Sequence, residues 1–302
     1  MRRLLWLGFL IAGATLSMGC VDNTRRRVVG TDDVVPPGEP RDVHSVTGDG
    51  QVILYWSPPR DSDLAGFSIF ISQDDVDYYL VAEVSASRRH LVVDGDAVPD
   101  DVPFRFVNGN TYFLGVSAFD MAGNESELSE GATTFDTPRP SGRNLRLYRA
   151  DGPRADESGY DFSRSPYGYP TDSGNLFVDV YFTYAGGRPV MRTPYPLVVE
   201  IEDKGLLDFD GELVGWLAEG EWNPSPEVVL HTGHVYLVKI FEETRPGNAF
   251  EPFNVAKFQV VSLGTDSVAI DWAYQIAPNN RELKPGKAAP APRGSRKREV
   301  HR

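Results

Sequence analysis

The chain has 302 residues, ordinary apolar and aromatic fractions of 41% and 11%, and a formal net charge of −13. Its length gives room for about two domains with proper cores. Its acidic body argues against a nucleic-acid partner, because neutralising phosphates needs clustered cations.

At the amino end, Arg2 and Arg3 precede the uncharged apolar run Leu4 to Leu16, and small Ser17 and Gly19 follow. That is the layout of a secretory signal peptide. The run falls short of the roughly twenty residues a helix needs to cross a bilayer. The sole cysteine, Cys20, stands next, in Leu16-Ser17-Met18-Gly19-Cys20. A lone cysteine has no disulfide partner within the chain, even in an oxidising compartment. The segment resembles a bacterial lipoprotein signal over residues 1–19, with leucine one place earlier and Met18 bulkier than usual. The resemblance implies that Cys20 becomes the first mature residue and carries fatty acyl chains such as palmitate. Two or three chains anchor stably where one binds marginally. Val21 after the cysteine then implies the outer membrane of a bacterial envelope. An ordinary signal peptide with an incidental cysteine is the alternative.

Residues 20–38 lack an apolar period and include Pro36-Pro37-Gly38, so they read as a flexible linker. Arg25, Arg26 and Arg27 lie where they could meet lipid headgroups. Beyond it, Val52, Leu54 and Trp56 alternate onto one face, as do Phe67, Ile69 and Ile71, and then Tyr112, Leu114, Val116 and Ala118. Short strands at such turn spacing predict a Greek-key sandwich. With Trp56 in VILYWSPPRDSDLAGF and Tyr112 in NGNTYFLGVSAFDMAGNES, residues 39–138 resemble a fibronectin type III domain, an immunoglobulin-like sandwich. The resemblance implies a spacer or interaction module, a core Trp56 and a tyrosine corner at Tyr112. The loops after its second and sixth strands share one end of such a fold. Asp61, Asp63, Asp120 and Glu125 could therefore converge on a calcium ion, which takes oxygen ligands. Solvated turn acids are the alternative, and they are also the reading for Asp94, Asp96, Asp100 and Asp101.

Thr137-Pro138-Arg139-Pro140-Ser141-Gly142 punctuates the chain, and residues 143–283 continue as alternating strands without a helix of normal length. Tyr236, Val238 and Ile240 share a face, as do Val268, Ile270, Trp272 and Tyr274. The fold class is therefore all-β, with a second antiparallel β domain following the first. Its closing stretches GHVYLVKI and VAKFQVVSLGTDSVAIDWAYQ are similar to those of HmuY-type haem-binding lipoproteins. That resemblance implies haem ligation by paired histidines, for which His231 and His234 are the candidates if Gly233 bends the strand. Turn or strand-edge histidines are the alternative. Asp208 to Glu212, DFDGE, reads as a hairpin turn rather than a calcium loop. Tyr160, Phe162, Tyr167 and Tyr169 read as a loop whose aromatics either bind a glycan or protein partner or close the core.

The last stretch, 284–302, is basic with Glu299 its only acid, and it reads as a disordered tail. Carboxylates abound but no G-x-S-x-G elbow, H-E-x-x-H pair or phosphate-binding loop occurs, so catalysis is not expected. The sequence thus predicts a lipid-anchored envelope protein that binds or scaffolds at the membrane surface. Capture of haem or a glycan by the second domain is the rival reading, and an envelope hydrolase comes third.

Overall fold

A computed structural model describes residues 33–163, 168–210, 222–241, 253–280, 286–287 and 299–302. Cys20, Tyr167 and the end of DFDGE lie outside these residues, as does most of the linker. Among the described residues no helix is long and apolar enough to cross a membrane. The architecture is all-β, built from antiparallel sheets stacked as two sandwiches.

In the first sandwich, β1 (Arg41–Thr47), β2 (Gln51–Ser57) and β5 (His90–Asp94) form one sheet in the order β1-β2-β5. The facing sheet runs β7-β6-β3-β4, from β3 (Leu64–Ser72), β4 (Asp77–Ser85), β6 (Tyr112–Asp120) and β7 (Thr133–Asp136). This is fibronectin type III-like wiring. Strand side chains alternate between faces, so Val52, Leu54 and Trp56 turn inward together. They meet Phe67, Ile69, Ile71, Leu114, Val116 and Ala118 in one buried core. Trp56 packs edge-on to Phe67, with centroids 5.5 Å apart. The expected tyrosine corner is present: the Tyr112 hydroxyl donates to the Arg105 carbonyl at 2.6 Å and accepts from the Val107 amide at 2.9 Å.

The second sandwich reuses that scheme. Its sheets contain β11 (Val180–Ala185), β12 (Arg188–Arg192) and β14 (Glu227–Val229) on one side, and β13 (Val199–Leu206), β15 (His234–Phe241) and β16 (Phe253–Leu263) on the other. β12 pairs with both β11 and β14, as β2 pairs with β1 and β5. β15 pairs with β13 and β16, as β6 pairs with β3 and β7. Tyr236 makes the same corner as Tyr112. Its hydroxyl donates to the Val229 carbonyl at 3.0 Å, seven residues back, and accepts from the His231 amide at 2.8 Å, five residues back. Each sheet is then extended, one by β9 (Gly159–Asp161) and β10 (Tyr169–Thr171), the other by β17 (Ser267–Gln275) and β8 (Ser141–Tyr148). The core between them includes Tyr160, Phe162, Phe182, Tyr236, Phe258, Ile270 and Trp272. Tyr160 and Phe162 are therefore core residues, whereas Tyr169 is exposed.

Three stretches read from composition as loop or tail have described residues that are tied into the sheets. Thr137 to Pro140, read as punctuation, is buried between the sandwiches. There the Arg139 amide donates to the Gly48 carbonyl at 3.0 Å, the Gly109 amide to the Pro138 carbonyl at 2.8 Å, and the Tyr274 amide to the Pro140 carbonyl at 2.9 Å. The end of the linker also lies on the first sandwich, where the Gly38 amide donates to Asp61 at 3.0 Å and Asn124 donates to the Asp33 carbonyl at 3.1 Å. Finally, two pieces of the tail are strands. β18 (Gly286–Lys287) pairs with β7 at Thr134 and Phe135, and β19 (Glu299–His301) pairs in parallel with β4 at Asp77 to Tyr79, so part of each edge of that sheet is covered. Open sheet edges are templates for unwanted pairing, and pairing shortens the open edge.

Candidate functional site

The second sandwich bears an open cavity of about 390 Å³ at the end opposite its tyrosine corner, its mouth widely exposed to solvent. Apolar side chains make most of its wall, among them Val178, Val198, Val199 and Ile240. The volume falls within the range of small-molecule sites, which are mostly apolar with a few placed polar groups. Two loops and the ends of two strands shape it. The β10–β11 loop is braced by Asn175, whose side chain accepts from the Phe177 amide at 3.0 Å while its amide group donates to Thr171 at 2.8 Å. The β12–β13 crossover contributes Tyr195, whose carbonyl accepts from both Val198 and Val199 amides at 3.0 and 2.9 Å. The facing ends of β15 and β16 contribute Phe241 and Asn254. In this architecture, the loops at that end serve binding when the sandwich is used as a scaffold.

Asp179 is the polar feature that stands out in the wall. It is only 6% exposed, and its carboxylate accepts from the Phe162 amide at 2.7 Å. Burial pushes its pKa up to about 8, against the opposing backbone bonds from Phe162 and Ser163, and the neighbouring Asp161 charge adds to the rise. Removing an ionised carboxylate from water is costly, so the group keeps its proton instead. At neutral pH Asp179 is therefore mostly a neutral acid that can donate a hydrogen bond. Buried Asn254 is the second placed group, held by its bond to the Gln275 carbonyl at 3.0 Å. Around the opening, Leu176 and Phe177 are 75% and 63% exposed, and Leu197 of the crossover is 93% exposed.

The expected calcium set converges in part. Asp63 and Asp120 come together with Asp33, their nearest carboxylate oxygens within 4.8 Å of one another. Asp61 turns to the Gly38 amide, and Glu125 turns to Ser117 and Arg302. Asp120 is spent on the loop it closes. Burial would raise its pKa, but donors from the Asn124 side chain and the Asn124 and Gly123 amides hold it below the usual value. The four expected residues thus do not form one oxygen cage. Asp94 likewise accepts from the Asp96 and Ala97 amides at 3.1 and 2.9 Å, as a turn acid does.

His231 and His234 do come together, at 4.8 Å between ring centroids. Gly233, at φ +84, makes the bend, and the His234 amide donates to the His231 carbonyl at 3.1 Å. Their surroundings are structural. The His231 amide belongs to the Tyr236 corner, and the His234 ring meets Asp203 at 3.0 Å. His234 opens β15 while Ile240 and Phe241 at its other end line the cavity, so roughly 20 Å of strand separates the histidines from it. Neither histidine can reach a ligand held there.

No known family profile matches the chain, and no curated protein does. Among solved structures, a DUF4466 family protein from Parabacteroides merdae is 10% identical with a TM-score of 0.37, covering 80% of this chain and 95% of that one. A human fourth FNIII domain is 20% identical with a TM-score of 0.28, covering 43% of this chain and 97% of that one. The spore cortex lytic enzyme SleM of Clostridium perfringens is 16% identical with a TM-score of 0.27 over 36% of this chain. The match spans only 31% of SleM.

Proposed function

We propose that the protein is a non-enzymatic binding protein of a bacterial envelope, held at the membrane by acyl chains on Cys20. The first sandwich acts as a spacer and the second captures a small ligand. The observation that carries this reading is the cavity of about 390 Å³ with buried Asp179 in its wall, its pKa pushed up by burial. Such a site suits a largely apolar molecule bearing a carbonyl or other hydrogen-bond acceptor. Asp179 is the only carboxylate among the described residues of the lining. An acid and base pair facing one substrate is therefore not supported, and binding is favoured over hydrolysis. The signal segment ending in Leu16-Ser17-Met18-Gly19-Cys20 supports the anchor and an outer-membrane location. A protein partner is the second reading, favoured by the exposed Leu176, Phe177 and Leu197 at the rim.

Two measurements test the proposal. Cells expressing the full chain and fed labelled palmitate should incorporate the label, and Cys20→Ser should abolish it; unlabelled wild-type protein would remove the anchor. The neutral fluorescent probe N-phenyl-1-naphthylamine should bind saturably, and Ile240→Trp, which fills the cavity, should weaken binding about tenfold, or 1.4 kcal/mol. A flat titration, or one indifferent to that substitution, would remove ligand capture and leave scaffolding.

A further inference from the structure

We propose that Asp77, Glu299 and His301 form a binding site for a divalent transition metal of the zinc class, which clamps strand β19 onto the first sandwich. The site follows from strand register. In the parallel pairing of β19 with β4, Glu299 lies opposite Asp77, Val300 opposite Tyr78 and His301 opposite Tyr79. Side chains alternate along a strand, so Glu299 and His301 share a face, and Asp77 and Tyr79 share the matching face of β4. Tyr78, between those two, is fully buried on the other side. One donor atom from each of Asp77, Glu299 and His301 lies within 4.8 Å of the others.

The surroundings hold the three groups in place. The Tyr79 ring stacks on the His301 imidazole, with centroids 4.8 Å apart and planes 17° apart. The Glu299 amide donates to the Val76 carbonyl at 2.9 Å. Beyond His301, Arg302 pairs with Glu125 and lies 3.7 Å from Glu83. Electrostatics then points to a cation. Asp77 already meets His301 Nε2 at 3.5 Å, whereas Glu299 faces Asp77 across the strand pair, where like charges are destabilising. A divalent ion between the carboxylates turns that repulsion into attraction. An imidazole nitrogen with two carboxylate oxygens is a donor set for zinc and its neighbours, with water completing the shell. Calcium prefers six to eight oxygens and is not matched. The all-oxygen group of Asp33, Asp63 and Asp120 differs on this point, because the Asp120 oxygens are already engaged by N–H donors.

The test uses the 302-residue chain without an added tag. Calorimetric titration with zinc chloride alone should show one site per chain. Losing an outer-shell partner costs about 10- to 100-fold in metal affinity, so losing a ligand in His301→Ala or Asp77→Asn should cost at least tenfold. Zinc should also slow hydrogen exchange at the Val300 and His301 amides in wild type and leave it unchanged in both variants. Both substitutions are at partly exposed side chains, and circular dichroism would verify that the fold is intact. Absence of binding at millimolar zinc, or binding and exchange unaltered by either substitution, would overturn the proposal.

Discussion

Replacing Asp179 with asparagine should flatten the dependence of stability on pH between about pH 4 and pH 8. In the unfolded chain this carboxyl ionises near the ordinary 3.8 of an aspartate, whereas burial holds the folded value at about 8. Across that window the folded state keeps a proton that the unfolded state has released. The stabilisation linked to Asp179 is therefore complete below about pH 4 and is lost as pH rises through 8. One proton of difference changes stability by about 1.4 kcal/mol per pH unit. Wild-type protein should thus lose stability more steeply than Asp179→Asn by up to that slope. The comparison must be between the two proteins, because buried Asp136 is also shifted upward, by burial against the opposing charge of Arg139. Urea unfolding at pH 5, 6, 7 and 8 reads the difference directly. Parallel curves for the two proteins would mean that Asp179 is ionised in the folded state, and the cavity would then lack its hydrogen-bond donor.

The second large effect is expected at Trp272, where alanine should cost about 3–5 kcal/mol. The indole packs edge-on to Tyr160 and Phe162, with centroids at 5.2 and 6.1 Å. Its bed is cut to fit. A β-carbon at Gly142 would sit 2.4 Å from the indole nitrogen, and one at Gly168, at φ +75, would sit 2.4 Å from the far edge of the ring. Alanine would leave a void that this surface cannot close without moving strands β8 and β9. Tyr160 and Phe162 also supply the backbone groups that hold Asp179, since the Asp179 amide donates to the Tyr160 carbonyl at 3.0 Å. Loss of stability in Trp272→Ala should therefore come with weakened probe binding. A cost under about 1 kcal/mol would show that the aromatic cluster repacks around the loss.

The first sandwich was legible because its signals are local. Alternation marks Val52 to Trp56 and Tyr112 to Ala118 as inward faces, and Tyr112 stands where a corner requires it. The second sandwich gave the same kind of strands but not their partners, because period-two patterning says which face is buried and nothing about which strand lies beside it. A signal for its wiring was nevertheless present: Tyr236 follows Val229 and His231 at the spacing by which Tyr112 follows Arg105 and Val107. The cavity had no such signal. Its walls come from residues as far apart as Ser163 and Tyr274, and Asp179 in isolation reads as one more surface acid. The histidine pair was found from Gly233, yet proximity alone did not make it a site, because the corner and Asp203 already account for it. In the tail, composition hid the pairing of β19, since three residues of strand leave almost no trace in a basic, proline-containing segment.

The buried stretch Thr137 to Pro140 has a mechanical consequence. Its backbone is bonded to both sandwiches and Ile276 is seated against Gly109, so changing the angle between the two bodies would have to break those contacts. If acyl chains on Cys20 hold the protein as proposed, the backbone from Cys20 to Asp33 spans at most roughly 45 Å, so the first sandwich would begin no farther than that from the lipid.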